Sequence, residues 1–283
     1  MNRTAIVTDS TADIDPEIAR DLGIDVVPLY VNFGSESFLD RVEITREEFY
    51  RRLAAGGPLP TTTQASAAAY ERSFAARASA GQEIVCLSIS GKLSGTMNAA
   101  AAAAARLPGA TIRVFDSRTV SGGLGLLAFA AHDLAQRGAG ADGIVAALEA
   151  MRARQALYAA IPDLSHAVRT GRVSKTMAMI GGMMKILPVL ALDDEGKVTE
   201  FARVRTFDRA LDMLAEATAA RLSGQSGSRV AIVHARAPHT AAVLQDRLLG
   251  KIGGAIARID VLETGPAIAV HAGIGAAGIF SLF

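Results

Sequence analysis

The fold of this chain is decided by residues 84–106, which read IVCLSISGKLSGTMNAAAAAAAR. Residues 84–89 are mostly apolar and include β-branched side chains, which predicts a buried strand. Residues 97–106 are mostly alanine, the best helix former, and predict a helix. The turn between them, residues 90–96, places hydroxyls and free backbone N–H groups at the positive end of a helix. Such a turn suits a carboxylate or phosphate, or simply caps the helix.

The sequence on both sides of this unit repeats the alternation of short apolar segments with helical segments. Further strands are predicted at residues 5–8, 24–31 and 111–115, and helices at 15–21, 47–55, 67–80, 122–136 and 143–153. Strands that alternate with helices favour a mainly parallel, doubly wound sheet. We therefore expect the first half of the chain to form an α/β domain of this kind.

The second half has a different order of predicted elements, in which strands come in pairs. Strands 189–193 and 197–204 predict a hairpin, because Asp194-Glu195-Gly196 is typical of a tight turn. A helix at 207–221, a strand at 229–234, a helix at 240–249 and a strand at 255–262 follow. Residues 177–192 are apolar but interrupted, which predicts a buried helix followed by a strand. We expect a second α/β domain with a mixed sheet, and place the domains at residues 1–155 and 156–283.

Composition and charge place the protein in an ordinary class. Half of its 283 residues are hydrophobic, and its 29 basic and 28 acidic residues nearly cancel. This balance argues against nucleic acid or an anionic membrane as a general partner. The single cysteine, Cys86, lies in an apolar strand, which indicates a packed thiol in a reducing compartment. No apolar segment typical of a signal peptide begins the sequence, so we expect a cytoplasmic protein.

Polar turns recur at strand ends in the first half. They comprise residues 8–13, 60–66, 90–96 and 116–123. Each could be no more than a cap or a turn. In a doubly wound sheet, however, ligands bind at the carboxyl ends of the strands, where such turns converge. Four of them in one half therefore favour a binding site.

The second half adds basic residues and a histidine. Residues 169–175, RTGRVSK, set basic side chains beside a glycine. Arg203 and Arg205 alternate on one face of the strand beyond the hairpin, where they could equally be a solvated face. Residues 265–275, GPAIAVHAGIG, place His271 between an apolar strand and glycines. His271 is either a buried, satisfied histidine or one that donates to an oxyanion.

Several sharper motifs are excluded. Residues 273–278, GIGAAG, match the dinucleotide pattern by letter, but no βαβ unit and no acidic partner follow. No P-loop sequence occurs, and the histidines lack metal-ligand spacing, so we expect no cofactor and no metal. One enzymatic alternative stays open. It is a serine hydrolase that acts on a lipid or other ester through Ser94 and His271, although residues 91–95 lack the order of a nucleophile elbow.

Taken in order along the chain, the motifs resemble those of one family. They are T-D-S-T-A-D from Thr8, P-x-T-[ST]-Q from Pro60, L-S-G-T from Leu93, D-S…G-G-x-G from Asp116, G-R-V-S from Gly171, R-x-R from Arg203 and G-P-x-I-x-x-H-x-G from Gly265. Their order and spacing over residues 8–275 resemble the DegV family of bacterial fatty-acid-binding proteins.

The resemblance implies a two-domain α/β protein that encloses one long-chain fatty acid in a tunnel between or within its domains. Such proteins catalyse no reaction alone. They present the acyl carboxylate to a separate ATP-dependent fatty acid kinase, which makes acyl phosphate for phospholipid synthesis. The implied partners are the fatty acid, the kinase and, transiently, a membrane surface, but no nucleic acid.

The resemblance also assigns residues. The carboxylate contacts fall on Thr62, Ser94 and His271, and hydroxyls and an imidazole can satisfy a carboxylate in a low-dielectric pocket. Supporting positions in the site loops are Ser10, Thr63, Gly95, Thr96, Ser117 and Gly273. Basic residues at the pocket mouth or on the kinase-facing surface are Arg172, Arg203 and Arg205.

The chain departs from the family pattern in three motifs. Thr63 and Ala65 replace a serine and a proline, and Met97-Asn98 replaces Tyr-Gln; these changes leave the carboxylate contacts intact. Leu187 replaces a lysine that precedes a proline, which bears on the kinase contact. Half of the eight methionines lie in residues 177–184, where they suit either an adaptable acyl tunnel or ordinary core packing.

Overall fold

The computed structural model describes residues 3–174, 186–252 and 256–283 and shows the expected mixed α/β architecture. Its first part contains β1 (Thr4–Asp9), α1 (Pro16–Leu22), β2 (Asp25–Val27), β3 (Tyr30–Phe33), β4 (Glu36–Leu39), α2 (Arg46–Ala54), β5 (Thr61–Thr63), α3 (Ala67–Ser79), β6 (Glu83–Ser88), α4 (Thr96–Ala105), β7 (Ile112–Asp116), α5 (Gly122–Gln136) and α6 (Ala141–Arg152). The remainder contains β8 (Gln155–Ala160), α7 (Ser165–Arg169), β9 (Leu187–Leu192), β10 (Val198–Val204), α8 (Phe207–Leu222), β11 (Ser228–His234), α9 (Pro238–Leu249), β12 (Ile256–Glu263), α10 (Pro266–Ala272) and β13 (Ala277–Leu282).

Four parallel strands form the sheet predicted for the first half, in the order β2-β1-β6-β7. β1 is buried along its whole length, as expected when a parallel sheet is covered on both faces. Cys86 is buried in β6, and burial raises the pKa of its thiol, which confirms the packed thiol predicted from the sequence. β6 leads through a turn into α4, which confirms the strand–turn–helix unit of residues 84–106.

The single strand predicted over residues 24–31 is wrong. β2 joins the parallel sheet beside β1, whereas β3 pairs with β4 and β5 in a separate antiparallel sheet. The chain changes sheets at Pro28, which has no N–H to donate to a sheet. The N–H of the next residue, Leu29, donates to Ser10 Oγ at 3.1 Å. The small sheet carries Thr62 at the middle of β5.

Six strands of the second half form a mixed sheet in the order β10-β9-β8-β13-β11-β12. β11 and β12 run parallel, and the other neighbours run antiparallel. β9 and β10 form the predicted hairpin, with Gly196 in its turn at a φ of 80°, a conformation that favours glycine. This sheet confirms the mixed sheet expected for the second half.

Other parts of the second half differ from expectation. Residues 155–160 and 277–282, for which no strand is predicted, form β8 and β13 at the centre of the mixed sheet, where pairing on both sides outweighs the weak strand propensity of alanine and glycine. The apolar strand expected before His271 is wrong, because these residues belong to α10, which begins at Pro266. The helix predicted within residues 177–192 lies outside the described residues, whereas the strand after it is β9.

Helix α5 lies between the two large sheets. It contacts β1 and β6 on one side and β11 and β13 on the other. The helix comes close to the mixed sheet because Gly122 has no side chain; an added Cβ would lie 2.8 Å from Val233 Cγ2. One continuous apolar cluster therefore contains strands of both sheets. The domain division at residues 1–155 and 156–283 stays a prediction.

Candidate functional site

An apolar cavity lies against one face of the six-stranded sheet. Leu157 and Ala159 of β8 line the cavity, whereas Tyr158 and Ala160 between them belong to the apolar core on the opposite face. We call this sheet face the floor of the cavity. Neighbouring strands contribute six more residues to it: Leu190, Leu192, Val198, Val233, Gly278 and Phe280. The cavity has an empty volume of about 1030 Å³, which includes its opening to solvent. Its predominantly apolar lining suits an apolar ligand.

The roof of the cavity comes from turns of the first half and from α7 and α10. All four polar segments singled out in the sequence reach the cavity, through Thr11, Thr62, Ser94 and Ser121. The turn predicted at residues 60–66 is wrong in part, because residues 61–63 pair with β3 as strand β5. Apolar roof residues lie beside these polar residues: Leu29, Ile89, Leu93, Val120, Ala167, Ala267 and Ile268. The predicted convergence of these segments is therefore confirmed.

The three residues predicted to bind a carboxylate lie in the wall of this one cavity. Thr62 comes from β5, Ser94 from the turn before α4, and His271 from the last turn of α10. Thr62 Oγ1 lies 2.9 Å from His271 Nε2. Arg172 also lines the cavity, and its Nε donates to the carbonyl oxygen of Leu93, next to Ser94, at 3.3 Å. The wall thus combines two hydroxyls, an imidazole and a guanidinium.

Burial and charge set the protonation of this wall. Burial, and to a smaller extent the positive charge of Arg172, lower the pKa of His271 to about 3. His271 is therefore neutral at pH 7. Burial also lowers the pKa of Arg172, but a guanidinium remains protonated at neutral pH. Arg172 thus brings its positive charge into the cavity wall.

The hydrolase alternative requires a hydrogen bond between the Ser94 hydroxyl and the His271 imidazole. It also requires a further group that orients the imidazole. His271 instead contacts Thr62 through Nε2 and Thr170 Oγ1 through Nδ1, the latter at 2.8 Å. Ser94 Oγ lies 2.8 Å from Thr96 Oγ1. An imidazole whose pKa is about 3 is also a weak base at neutral pH. This geometry lends the hydrolase no support.

The turn before α4 is shaped by two of the predicted supporting residues. The N–H of Thr96 donates to Ser94 Oγ at 3.3 Å, and Thr96 itself is buried. Gly95 packs against Gln64, and an added Cβ would overlap Gln64 Oε1. Gly95 and Thr96 therefore hold the turn that presents Ser94, while neither lines the cavity.

The other predicted supporting residues also lie outside the cavity wall. Ser10 and Ser117 are buried, and their hydroxyls accept from backbone N–H groups of nearby loops. Thr63 is exposed next to Thr62 in β5. Gly273 ends α10 at a φ of 71°. Ser10 and Ser117 therefore hold nearby loops, through the N–H groups of Leu29 and Thr119.

Arg203 and Arg205 are exposed and do not line the cavity. Arg203 Nε donates to Glu200 Oε1 at 2.6 Å. Arg205 lies beyond β10, which ends at Val204, so the two arginines do not share a strand face as predicted. Leu187 pairs with Val204 on the adjoining strand, which places the departure from the family pattern beside these arginines.

Three polar residues of the cavity wall are not among the predicted site residues. Thr11, Ser121 and Thr264 line the cavity; two lie in the predicted turns, and Thr264 directly precedes the motif at residues 265–275. Ser121 Oγ donates to Asp13 Oδ2 at 2.6 Å, and Asp13 Oδ1 accepts from the N–H of Gly265 at 2.7 Å. Asp13 therefore ties the turn before α5 to the start of α10, which fixes two parts of the roof.

The described residues form neither a membrane-spanning helix nor a cluster of metal ligands. Within residues 3–174, 186–252 and 256–283, no helix combines the length and the apolar character needed to cross a bilayer. The same ranges contain no group of three or more histidine, cysteine, aspartate or glutamate side chains that could hold a metal ion.

Comparisons with known proteins identify a family and several similar folds. A family model described as "Uncharacterised protein, DegV family" matches residues 3–283. A DegV domain-containing protein of Halalkalibacterium halodurans is 31% identical over 280 residues, which cover 99% of this chain and 98% of the relative. A solved DegV family protein of Thermus thermophilus, described by its fatty acid binding, superposes with a TM-score of 0.92 at 31% identity and covers 99% of both chains. DegV of Bacillus subtilis, described as a fatty acid binding protein, gives a TM-score of 0.89 at 29% identity over 100% of both chains.

Proposed function

Because the chain belongs to the DegV family, we propose that it binds one long-chain fatty acid in the apolar cavity, with the carboxylate at Thr62, Ser94 and His271. The observation that carries this proposal is the composition of the cavity, which is apolar along the mixed sheet and polar where these residues meet Arg172. The DegV proteins of Thermus thermophilus and Bacillus subtilis, both described as fatty acid binding, support it.

The physical chemistry of a fatty acid fits the two parts of this cavity. Each buried CH₂ group contributes about 0.8 kcal/mol by leaving water, so the apolar floor favours a long acyl chain. A buried carboxylate requires hydrogen-bond donors and a positive charge. The hydroxyls of Thr62 and Ser94 and the guanidinium of Arg172 can supply them.

We expect protein purified under native conditions to carry a fatty acid at close to one molecule per chain. Lipid extraction and mass spectrometry measure the acyl chain and its amount. A stripped sample should show a rise in melting temperature when oleate or palmitate is added, because a ligand that binds only the folded state stabilises it. Repeated extractions without an acyl chain, together with no shift on adding either acid, would overturn the proposal. The same samples should show no turnover of ester substrates.

Replacing Ser94 with alanine is expected to weaken oleate binding by about ten- to a hundredfold while the fold survives. The variant removes one donor to a buried carboxylate, and a hydrogen bond to a charged group is worth roughly 1.5–3 kcal/mol. Isothermal titration of stripped protein with oleate measures the change.

The matched control for Ser94→Ala is Ser66→Ala. Ser66 Oγ accepts from the N–H of Ala69 at the start of α3 and lies outside the cavity. Loss of this N-cap should lower stability by about 1 kcal/mol and leave oleate affinity unchanged. If Ser94→Ala also retains full affinity, the Ser94 hydroxyl serves only the turn before α4.

We further propose that the bound carboxylate is presented to a separate ATP-dependent fatty acid kinase, and that Arg203 and Arg205 face that kinase. The support is their position: both are exposed and lie outside the cavity lining. Exposed charges at the edge of an interface act mainly on encounter and orientation. They can therefore influence delivery without influencing lipid loading.

The double variant Arg203→Ala/Arg205→Ala is expected to keep its lipid while acyl-phosphate production with kinase and ATP falls several-fold. Mass spectrometry of bound lipid and a kinase assay are performed on the same preparation. The control Arg106→Ala/Arg113→Ala removes two exposed arginines of the first half and should change neither quantity. Loss of lipid in the first variant would place Arg203 and Arg205 in the pocket. No change in either readout would make them an ordinary solvated surface.

A further inference from the structure

The hydroxyl of Thr170 contacts His271 on the side away from Thr62. Thr170 directly follows α7, and its Oγ1 lies 2.8 Å from His271 Nδ1. The same oxygen lies 2.9 Å from the carbonyl oxygen of His166 and 3.3 Å from that of Ala167. Thr170 was not among the residues predicted from the sequence, and it does not line the cavity.

Counting protons allows two arrangements of these hydrogen bonds, one for each neutral tautomer of His271. The Thr170 hydroxyl has one proton, and in the first arrangement it donates that proton to the His166 carbonyl oxygen, which leaves Oγ1 as the acceptor towards His271. His271 Nδ1 must then carry a proton and donate it to Thr170 Oγ1. Because a neutral imidazole has one N–H, Nε2 is unprotonated and accepts from the Thr62 hydroxyl at 2.9 Å.

In this arrangement neither His271 nor Thr62 has a proton left to donate to a carboxylate. In it, both ring nitrogens of His271 are occupied and the Thr62 proton is used by Nε2. A carboxylate accepts hydrogen bonds and donates none, so it requires the proton to be on Nε2. Rotation of the Thr170 hydroxyl proton towards Nδ1 would support that second tautomer and release the Thr62 hydroxyl to the ligand.

The switch involves no net gain or loss of protons. The imidazole loses one proton from Nδ1 and gains one at Nε2 through water, while the Thr170 hydroxyl turns from acceptor to donor towards the ring. The His166 carbonyl oxygen then loses the hydroxyl but keeps the backbone N–H of Thr170, which lies 3.1 Å away. No buried acceptor is left without a partner.

We propose that Thr170 is a positioning residue that supports both tautomers of His271, accepting from Nδ1–H in the free protein and donating to Nδ1 when a carboxylate lies at Nε2. The inference rests on the proposed function for its ligand-bound half only. The free-state half concerns the protein alone and is tested without any fatty acid.

The test follows the imidazole ¹⁵N signals of His271 by NMR at pH 7, with and without oleate, using the variant His271→Gln to identify them. In the wild type, the protonated nitrogen should be Nδ1 in stripped protein and Nε2 with oleate. Thr170→Val keeps the shape but removes the hydroxyl. It should lose the preference for Nδ1–H in the free protein and bind oleate about tenfold more weakly, as expected for one lost hydrogen bond. Thr170→Ser should behave like the wild type in both respects.

A control variant separates this role from the general loss of a hydroxyl. Thr199→Val removes a hydroxyl that donates to the Ala191 carbonyl oxygen outside the cavity, and it should change neither the tautomer nor the affinity. An Nε2–H tautomer in free wild-type protein overturns the proposal even if Thr170→Val does not fold. The proposal is also overturned if Thr170→Val shows the same tautomers and the same oleate affinity as the wild type. The Thr170 hydroxyl would then serve only as a helix cap. Failure of the wild type to bind oleate would instead refute the proposed function.

Discussion

Replacing Ala159 with phenylalanine is expected to lower the affinity for oleate by at least about a hundredfold. Ala159 lies on the cavity face of β8, paired with Leu190 on one side and Gly278 on the other. A phenyl ring there would occupy space that the acyl chain needs, and forcing additional atoms into a filled interior costs about 1–3 kcal/mol or more. Titration of stripped protein with oleate measures the loss.

The control for this experiment is Ala101→Phe. Ala101 is exposed on α4, so the same ring is added outside the cavity. The control should bind oleate like the wild type, and both variants should give melting curves with a single transition. Undiminished binding in Ala159→Phe would show that the acyl chain does not run along this face of the mixed sheet.

Replacing Asp9 with alanine is expected to cost about 2–5 kcal/mol of unfolding free energy. The buried carboxylate accepts from the N–H groups of Thr11 and Ile89, both at 3.0 Å, and from the Thr11 hydroxyl. Each buried donor left without an acceptor costs about 1–3 kcal/mol. Burial raises the pKa of Asp9, so part of the loss is offset by removing a poorly solvated carboxyl group.

We expect Asp9→Ala also to weaken ligand binding, because Thr11 and Ile89, which both donate to Asp9, line the cavity. Asp15→Ala is the matched control, since Asp15 caps α1 through the N–H of Glu17 at 3.1 Å and its side chain is partly exposed. Loss of that cap should cost about 1 kcal/mol. Urea unfolding measures both variants. Equal losses would contradict a special role for the buried carboxylate.

Local patterns predict much of this fold, because they depend on neighbouring residues. The strand and the alanine-rich helix of residues 84–106 are found as predicted, and so is the hairpin around Gly196. The predictions are wrong where contacts between residues far apart in the sequence determine the local structure. The segment 24–31 divides at Pro28 because its two parts pair with different sheets. β13 is a strand because β8 and β11 pair with it on both sides.

The site is less accessible to prediction than the fold. Each of the four polar turns could be recognised alone, but only the three-dimensional structure shows that Thr62 and His271 lie within hydrogen-bond distance. Arg172 and Arg203 are both basic residues near glycine or strand motifs, yet one lines the cavity and the other is exposed. Thr170 lies in the motif at residues 169–175, but the sequence does not indicate its contact with a ring nitrogen 101 positions away.

The position of α5 between the two large sheets has a consequence for the cooperativity of unfolding. Each sheet buries apolar side chains against the same helix. If one sheet separated from α5, it would expose to water an apolar cluster that also contains side chains of the other sheet. The unfolding free energies of the two halves of the chain are therefore coupled, and the shared apolar contacts favour a rigid connection between them over a hinge. Since the cavity is walled by both halves, a molecule bound there would stabilise them together as one cooperative unit.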